Sequence, residues 1–204
     1  SVRNLSCPGV FSNVSFDLRE GEILGMAGLV GAKRTDVLRA IFGLREKVSG
    51  EVRVGGVDAL CSSPIEAMRR GFCFLSEDRA AEGIFPFMGV DKNITVASLD
   101  RFTRAGFVKR REERTETAKL VEALGIKTPS LATLLYSLSG GNQQKTILAR
   151  WFLRRPRIFL LDEPTAGIDV GAKFEIYGIL RKLAGEGAGI LFVSSELNEL
   201  LGLC

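Results

Sequence analysis

Two neighbouring carboxylates, Asp162 and Glu163, stand at the end of a short apolar run that begins at Ile158. Such a run, followed directly by acidic residues, is typical of a buried strand that ends at a site. Asp162 could hold a magnesium ion, commonly through water, and Glu163 is placed to orient and polarise an attacking water molecule. We therefore predict Asp162 as a metal ligand and Glu163 as a catalytic residue, although an ordinary acidic strand end would look the same.

A second candidate site follows the apolar run that ends at Ala27, where residues 28–35 read GLVGAKRT before a helix-like stretch. Compared with the phosphate-loop pattern GxxxxGK[ST], Lys33 replaces a glycine and Arg34 replaces the lysine. Backbone N–H groups of such a loop surround phosphate oxygens, and its final hydroxyl, here Thr35, binds magnesium. Alone, the segment could also be an ordinary strand-to-helix turn. The predicted phosphate-contacting residues are Gly28, Leu29, Val30, Gly31, Ala32, Lys33, Arg34 and Thr35.

A third motif, LSGGNQQK, occupies residues 138–145 and opens a helix-like stretch. A serine and two glycines at a helix N-terminus leave several N–H donors free, which makes an anion site aimed outward from the domain. Because such a site faces away from its own domain, we expect the phosphate that it binds to be held by a partner. The predicted contacts are Ser139, Gly140, Gly141 and Gln143. The strand that carries the two carboxylates begins 13 residues after Lys145, and this order and spacing argue against coincidence.

LSGGNQQK, LLDEPT and the preceding loop resemble the motifs of the ATP-binding cassette (ABC) ATPases, and the resemblance covers essentially the whole chain. In that family two cassettes dimerise head to tail, so each ATP lies between one cassette's phosphate loop and the other's LSGG segment. The resemblance implies ATP and Mg²⁺ as ligands. It also implies an α/β fold, a P-loop NTPase-like cassette core with a parallel sheet, antiparallel β strands at the N-terminal side and an inserted α-helical lobe.

The finer resemblance is to bacterial importers of simple sugars, such as ribose, galactose and xylose, whose single polypeptide carries two cassettes. Residues 25–32, 76–79 and 167–173 look like the second of those cassettes. The implied partners are the first cassette of the same polypeptide, membrane permease subunits and, indirectly, a periplasmic sugar-binding protein. The implied location is cytoplasmic, peripheral on the inner face of the cell membrane. The chain stops just past the switch region, so we expect the end of the domain to be missing.

Several positions depart from the family pattern or extend it. Arginine is typical at position 34 of the second cassette, whereas a glycine is usual where Lys33 stands. Glu77 lies about where most cassettes carry the glutamine that senses the γ-phosphate, and Ser195 lies where the switch histidine is usual. A serine cannot bridge the γ-phosphate as an imidazole can. The resemblance therefore implies a loop that binds nucleotide with little turnover, an LSGG segment that completes the first cassette's site, and Asp169 as a coupling residue between the sites.

Two other functions fit the same motifs. A soluble cassette ATPase of DNA repair or translation would share them, but such proteins usually carry long coiled-coil or linker insertions that this chain lacks. A regulatory nucleotide-binding module that never hydrolyses ATP would also share them. Neighbouring genes for a permease and a periplasmic sugar-binding protein would favour transport.

The elements that must position these motifs alternate between strands and helices, which indicates a sheet with a parallel component. We predict strands at 14–18, 23–27, 51–54, 71–75, 158–161 and 190–193, and helices at 35–42, 64–70, 141–154, 171–184 and 196–201. Residues 91–137 are charged and helix-prone. We therefore divide the chain into a RecA-like first part (1–90), a helical lobe (91–137) and a last part with the signature helix, acidic strand and switch region (138–204).

Composition places the chain among ordinary globular proteins, with 46% hydrophobic and 25% charged residues. Four cysteines without CxxC spacing and without any histidine argue against a zinc site and indicate reduced thiols. The net charge of +4 fits a phosphate ligand but is also common for a solvated surface. We interpret the basic cluster of residues 101–114 as a solvated face rather than a nucleic-acid surface, since no aromatic residues are interleaved with it.

Overall fold

The computed structural model describes residues 1–29 and 31–204. Val30, one of the predicted phosphate contacts, lies outside the described residues. The chain forms two compact units, which we call the core unit (residues 1–77, 156–164 and 180–204) and the helical unit (residues 78–155 and 165–179). The division predicted at residues 90 and 137 stays a prediction.

The strands, in chain order, are β1 (Val2–Cys7), β2 (Phe11–Phe16), β3 (Ile23–Met26), β4 (Ser49–Val54), β5 (Val57–Asp58), β6 (Phe72–Leu75), β7 (Thr103–Arg104), β8 (Phe107–Val108), β9 (Ile158–Asp162) and β10 (Gly189–Val193). The helices are α1 (Arg34–Ile41), α2 (Pro64–Arg69), α3 (Val90–Thr95), α4 (Leu99–Phe102), α5 (Arg110–Ala123), α6 (Gly140–Arg154), α7 (Val170–Gly185) and α8 (Leu197–Leu203). The predicted helices are confirmed as α1, α2, α6, α7 and α8, with ends that agree within two residues.

A parallel sheet with the strand order β3-β10-β9-β6 forms the centre of the core unit. Every residue of β6 and β10 is buried, and β9 is buried from Phe159 onward. Strands buried on both faces read as continuous apolar runs instead of alternating ones. The apolar runs that predicted these strands therefore reflect burial by the fold on both sides.

The second sheet of the core unit is antiparallel, with the order β2-β1-β4-β5. The prediction for this region was partly wrong, because β1 and β5 were not foreseen and β2 begins three residues before the predicted range of 14–18 and ends two residues before its end. Asn4 has a positive φ of 50°, and the β1–β2 register shifts between Val2 and Leu5. These irregularities break the alternation of period two by which a half-buried strand is recognised.

The helical unit packs α3, α5 and α6 around a cluster of buried apolar side chains that includes Val90, Ile94 and Leu135. The charged texture of the predicted lobe concealed a two-stranded hairpin, β7–β8, between α4 and α5. Arg150, buried in α6, donates to the carbonyl oxygens of Asn93 at 2.7 Å and Gly83 at 2.8 Å. This guanidinium thereby ties α6 to the segment that leads into α3.

Two further features bear on the cellular setting. All four cysteines are free thiols, and three of them are buried. Within residues 1–29 and 31–204, no helix is both long enough and apolar enough to cross a membrane.

The first helix ends in a Schellman motif, which makes Gly43 sensitive to substitution. Gly43 N–H donates to the Ala40 carbonyl at 3.1 Å and Leu44 N–H to the Arg39 carbonyl at 2.8 Å, with Gly43 at φ +76°. A Cβ on Gly43 would lie 2.6–2.9 Å from backbone atoms of Ser63, whereas Gly9, at the same φ, has nothing within 4 Å.

We expect Gly43→Ala to lower the free energy of unfolding by about 2 kcal/mol more than Gly9→Ala does. Both substitutions carry the left-handed cost of about 1 kcal/mol, but only the first also displaces packed backbone. Urea denaturation of the two variants measures the difference. Equal losses would contradict this packing argument.

Candidate functional site

The predicted phosphate loop joins β3 to α1 and turns sharply. A Cβ on Gly28 would lie 3.1 Å from the Ala32 Cβ, so a side chain there would crowd the turn. Gly31 has a φ of +88°, and Ala32 N–H donates to the Leu29 carbonyl at 3.0 Å. Leu29 is 86% exposed. The two glycines that remain in this loop are thus required by its backbone path.

Lys33 stands at the N-cap of α1 in the left-handed conformation, with φ 63° and ψ 20°. The phosphate-loop pattern has a glycine at this position, which adopts that conformation freely, whereas a side chain there costs about 1–2 kcal/mol. The Lys33 ammonium lies 3.9 Å from the Asp36 carboxylate, which also pairs with Arg45. Lys33 therefore extends along its own helix. Its left-handed backbone is strained, because a lysine stands where the phosphate-loop pattern has a glycine.

Arg34 is directed toward the ends of two strands of the parallel sheet. Its Nη1 donates to the carbonyl oxygen of Ser194, just after β10, at 2.7 Å, and its Nη2 lies 3.7 Å from Glu163 Oε1, just after β9. The side chains of Arg34 and Glu163 are only 11% and 12% exposed. The arginine at the lysine position thus pairs with the predicted catalytic carboxylate.

Asp162 ends β9 and is fully buried. Burial is the main cause that raises the pKa of this carboxyl to about 6, and the charges of Glu77 and Glu163 raise it further. The Thr35 hydroxyl lies close enough to the Asp162 carboxyl to lower its pKa in part. Neither oxygen of Asp162, however, makes a hydrogen bond of ordinary geometry with the described residues. Two buried acceptor oxygens without partners indicate a missing ligand.

Glu163 follows with a left-handed backbone, φ 45°, and its N–H donates to the Val193 carbonyl at 3.0 Å. Burial raises the pKa of this carboxyl, while hydrogen bonds from the side chain and backbone of Ser195, together with the charge of Arg34, lower it. Ser195, at the position of the expected switch residue, is therefore engaged with the carboxylate.

A magnesium ion fits the pair Thr35 and Asp162. Mg²⁺ keeps several waters and takes one or two carboxylates together with phosphate oxygens of a substrate. In the described part of the chain, no group of three or more His, Cys, Asp or Glu side chains is arranged to hold a metal alone.

The carboxyl ends of β3, β6, β9 and β10 meet at one edge of the parallel sheet, where α/β proteins bind ligands. A cavity of about 200 Å³ lies there, and Glu77, which follows β6, is one of its walls. Gly28 and Leu29 are not among its lining residues. The predicted residues that line it are Gly31, Ala32, Lys33, Arg34, Thr35, Glu77, Asp162, Glu163 and Ser195.

The remaining predicted contacts lie in the helical unit, at the N-terminus of α6. Ser139 is the N-cap, its hydroxyl caps no helical N–H, and it accepts instead from Asn142 Nδ2 at 2.9 Å. The Gln143 amide donates to the carbonyl oxygens of Leu135 and Leu138 at 3.2 and 3.1 Å. Gln143 thus holds the turn before the helix, while the exposed Ser139 leaves the helix N-terminus accessible.

The two glycines of this motif are also needed for packing. A Cβ on Gly140 would lie 3.2 Å from the Gly167 carbonyl oxygen and 3.1 Å from Arg79 Nη2, and one on Gly141 would lie 2.6 Å from the Ala172 Cβ. Asp169, in the same loop, accepts from Ala172 N–H at 3.0 Å and so caps α7. Arg79, to which sequence reasoning assigned no role, is a neighbour of this motif, and no spacing rule pointed to it.

Residues 11–166 match the family model of the ABC transporter. The chain belongs to the ABC transporter family. The predicted family and fold class are confirmed, since this match covers most of the chain and the fold agrees with solved ABC cassettes. One is a dimeric ATP-binding cassette in a post-hydrolysis state bound to ADP and Pi, with a TM-score of 0.78 at 22% identity over 97% of this chain and 88% of that chain. A nucleotide-free cassette from an ABC transporter gives 0.80 at 18% identity over 99% and 83%.

This ABC ATPase domain is also similar to sugar-import proteins. The galactose/methyl galactoside import ATP-binding protein MglA of Clostridium perfringens (strain 13 / Type A) is 50% identical over 100% of this chain and 40% of its own length. A putative ribose/galactose/methyl galactoside import ATP-binding protein of Pseudomonas syringae pv. syringae is 47% identical over 100% and 39%. The chain spans about two fifths of the length of these relatives.

The raised pKa of Asp162 predicts that Asp162→Asn stabilises the domain without ligand. A carboxyl whose pKa is raised on folding contributes stability below its unfolded pKa and loses it as the pH rises through about 6. At pH 8 the buried charge is uncompensated, so the amide variant should gain about 1–3 kcal/mol over the parent, and about half of that gain at pH 5, where the folded carboxyl is largely protonated. Urea denaturation at both pH values measures this, and a gain that does not depend on pH would contradict it.

Proposed function

We propose that this chain is the second nucleotide-binding domain of a bacterial ABC importer for a simple sugar of the galactose/ribose type. The observation that carries the proposal is identity of 47–50% along the whole chain to import ATP-binding proteins for these sugars. The position as second cassette is supported by the share of those relatives that the chain spans, which leaves room for another cassette. The resemblance of residues 25–32, 76–79 and 167–173 supports it as well.

In this proposal the loop between β3 and α1 binds the ATP phosphates through its backbone N–H groups. Thr35 and Asp162 hold Mg²⁺, which supplies neutralisation of phosphate charge when it is bound. Asp162 must lose its proton before it can bind the ion, and a nearby divalent cation favours the charged form of this carboxyl. Its orphaned oxygens and its place beside the Thr35 hydroxyl support this assignment.

The contacts of Glu163 with Arg34 and Ser195 favour the proposal that ATP is hydrolysed slowly at this loop. A catalytic carboxylate must accept a hydrogen bond from the attacking water. Here the same group faces the Arg34 guanidinium at 3.7 Å and accepts hydrogen bonds from Ser195. A largely buried ion pair of this kind is costly to break, because each buried group would lose its opposite charge. The loop therefore binds nucleotide more readily than it turns it over.

The LSGG segment acts on another nucleotide in this proposal. Ser139, Gly140 and Gly141 present the N-terminus of α6 to ATP held by the first cassette of the same polypeptide, in a head-to-tail pair. Asp169 couples the two sites across that interface. Membrane permease subunits and, through them, a periplasmic sugar-binding protein complete the assembly. In this proposal the chain itself lies in the cytoplasm, at the inner face of the cell membrane.

Restoring the phosphate-loop pattern tests the role assigned to Lys33 and Arg34. The double variant Lys33→Gly/Arg34→Lys should bind MgATP about tenfold more tightly, because it removes left-handed strain and returns a point charge to the phosphates. Isothermal titration calorimetry measures the affinity.

Lys47→Gly is the matched control, since Lys47 is an exposed lysine at φ 55° away from this loop. That variant should gain stability with no change in affinity. The parent chain alone should hydrolyse ATP near background. Vigorous turnover, or an unchanged affinity in the double variant, would refute the account of this loop.

A charge placed at the N-terminus of α6 tests the action on the partner site. In a full-length protein with both cassettes, Ser139→Arg should lower ATP turnover about a hundredfold, because it blocks donors aimed at the partner's nucleotide. The ATP affinity of this chain by itself should stay unchanged. Ser130→Arg, at another exposed serine of the helical unit, is the control and should retain turnover. Full activity of Ser139→Arg would exclude the action in trans.

A further inference from the structure

A hairpin in the helical unit presents apolar side chains to solvent. β7 and β8 are joined by Ala105 and Gly106, both with positive φ. Directly after this turn, Phe107 is 80% exposed and Val108 is 40% exposed. Solvent-exposed aromatic residues at the tip of a turn have no part in the packing of their own domain. Exposed apolar side chains that stand singly are common on protein surfaces, so the significance of Phe107 and Val108 depends on the charged residues beside them.

The same segment carries much of the excess positive charge of the protein. Residues 99–114 contain six cations and three carboxylates, against a net charge of +4 for the whole chain. The six cations are Arg101, Arg104, Lys109, Arg110, Arg111 and Arg114. The rest of the molecule is therefore close to neutral, and the basic character is local.

All three carboxylates of the segment already have partners. Asp100 lies 3.5 Å from the Arg154 guanidinium, and Glu112 pairs with Lys109 at 2.7 Å. Glu113 is buried and pairs with Lys92 at 2.7 Å. The local acidic residues are thus largely neutralised by these contacts.

Four of the cations, by contrast, are not compensated. The exposed side chains of Arg104, Arg110, Arg111 and Arg114 make no hydrogen bond or ion pair with any residue in the described part of the chain. At 100° per residue, the three arginines of α5 fall within an arc of about 100° on one side of the helix. Arg104 is the last residue before the turn that precedes Phe107. Together, these arginines and Phe107 form what we call the basic hairpin surface.

We propose that the basic hairpin surface binds the surface of an anionic lipid membrane. Guanidinium groups pair with lipid phosphates, and each basic residue near such a surface adds to the attraction. Phe107 and Val108 would enter the boundary between headgroups and acyl chains, as the apolar side of an interfacial segment does. A single exposed aromatic group beside the arginines, with no series of stacking platforms, favours a lipid surface over single-stranded nucleic acid.

This inference stands apart from nucleotide binding, because every residue of the basic hairpin surface lies outside the motifs assigned to ATP. Vesicle co-sedimentation of the 204-residue chain tests it. The chain should pellet with vesicles of phosphatidylglycerol and phosphatidylcholine and remain in solution with pure phosphatidylcholine. Binding should weaken steeply between low and high salt, since exposed charges are screened.

Arg110→Gln/Arg111→Gln should lower the affinity for anionic vesicles about tenfold or more, and Phe107→Ser should lower it several-fold. The control for charge is Arg69→Gln/Lys182→Gln, which removes two exposed cations of the core unit. The control for the aromatic group is Phe87→Ser, at a phenylalanine that is 79% exposed. Both controls should bind as the parent does. Absence of binding to anionic vesicles, or equal losses in variants and controls, overturns the proposal.

A fluorescence measurement reports on insertion independently. Phe107→Trp should shift its emission to the blue when anionic vesicles are added, whereas Phe87→Trp should not. Displacement of the chain from vesicles by a short RNA at equal phosphate concentration would instead make nucleic acid the preferred partner and overturn the lipid assignment. An unshifted spectrum at Phe107→Trp on bound vesicles would do the same.

Discussion

The candidate nucleotide site depends on the parallel pairing of β3, β10, β9 and β6. Because parallel strands run in one direction, their carboxyl ends share one edge of the sheet. The phosphate loop, Glu77, the acidic pair and Ser195 each follow one of these strands. Residues that are up to 164 positions apart, from Gly31 to Ser195, line one cavity because of that pairing. Without it, none of these motifs would amount to a site.

The function that we propose for this edge depends on its charge balance. The sheet buries the acidic residues that follow β9, so both carboxyls have raised pKa values, and each needs a partner. Glu163 has Arg34 and Ser195, while the oxygens of Asp162 remain without hydrogen bonds to the described residues. One carboxylate is thereby engaged within the protein and the other is left for a ligand. In the proposed function, this division is the reason why the loop binds nucleotide without efficient hydrolysis.

The helical unit shows a different use of small residues. Gly140 and Gly141 allow the start of α6 to approach the loop that contains Gly167 and Asp169 at distances that a Cβ would not permit. The two glycines therefore provide the close packing at the start of α6, while the neighbouring Ser139 is exposed. Further along α6, the buried guanidinium of Arg150 donates to the Asn93 carbonyl oxygen, because a buried donor left without an acceptor would be costly.

Local sequence was sufficient to predict the family, the fold class, the four strands of the parallel sheet and five helices. Apolar runs, helix periodicity and the three motifs all consist of residues that are close together in the chain. The sequence did not predict β1, where the left-handed Asn4 interrupts the alternation of buried and exposed residues. It also did not predict the β7–β8 hairpin, because this short segment is charged and resembles a helix in composition. Only the tertiary structure decided that Arg34 turns to Glu163 and the Ser194 carbonyl, that Lys33 is strained, and that Asp162 lacks a partner. These outcomes depend on distances between residues far apart in the chain, which periodicity and spacing do not encode.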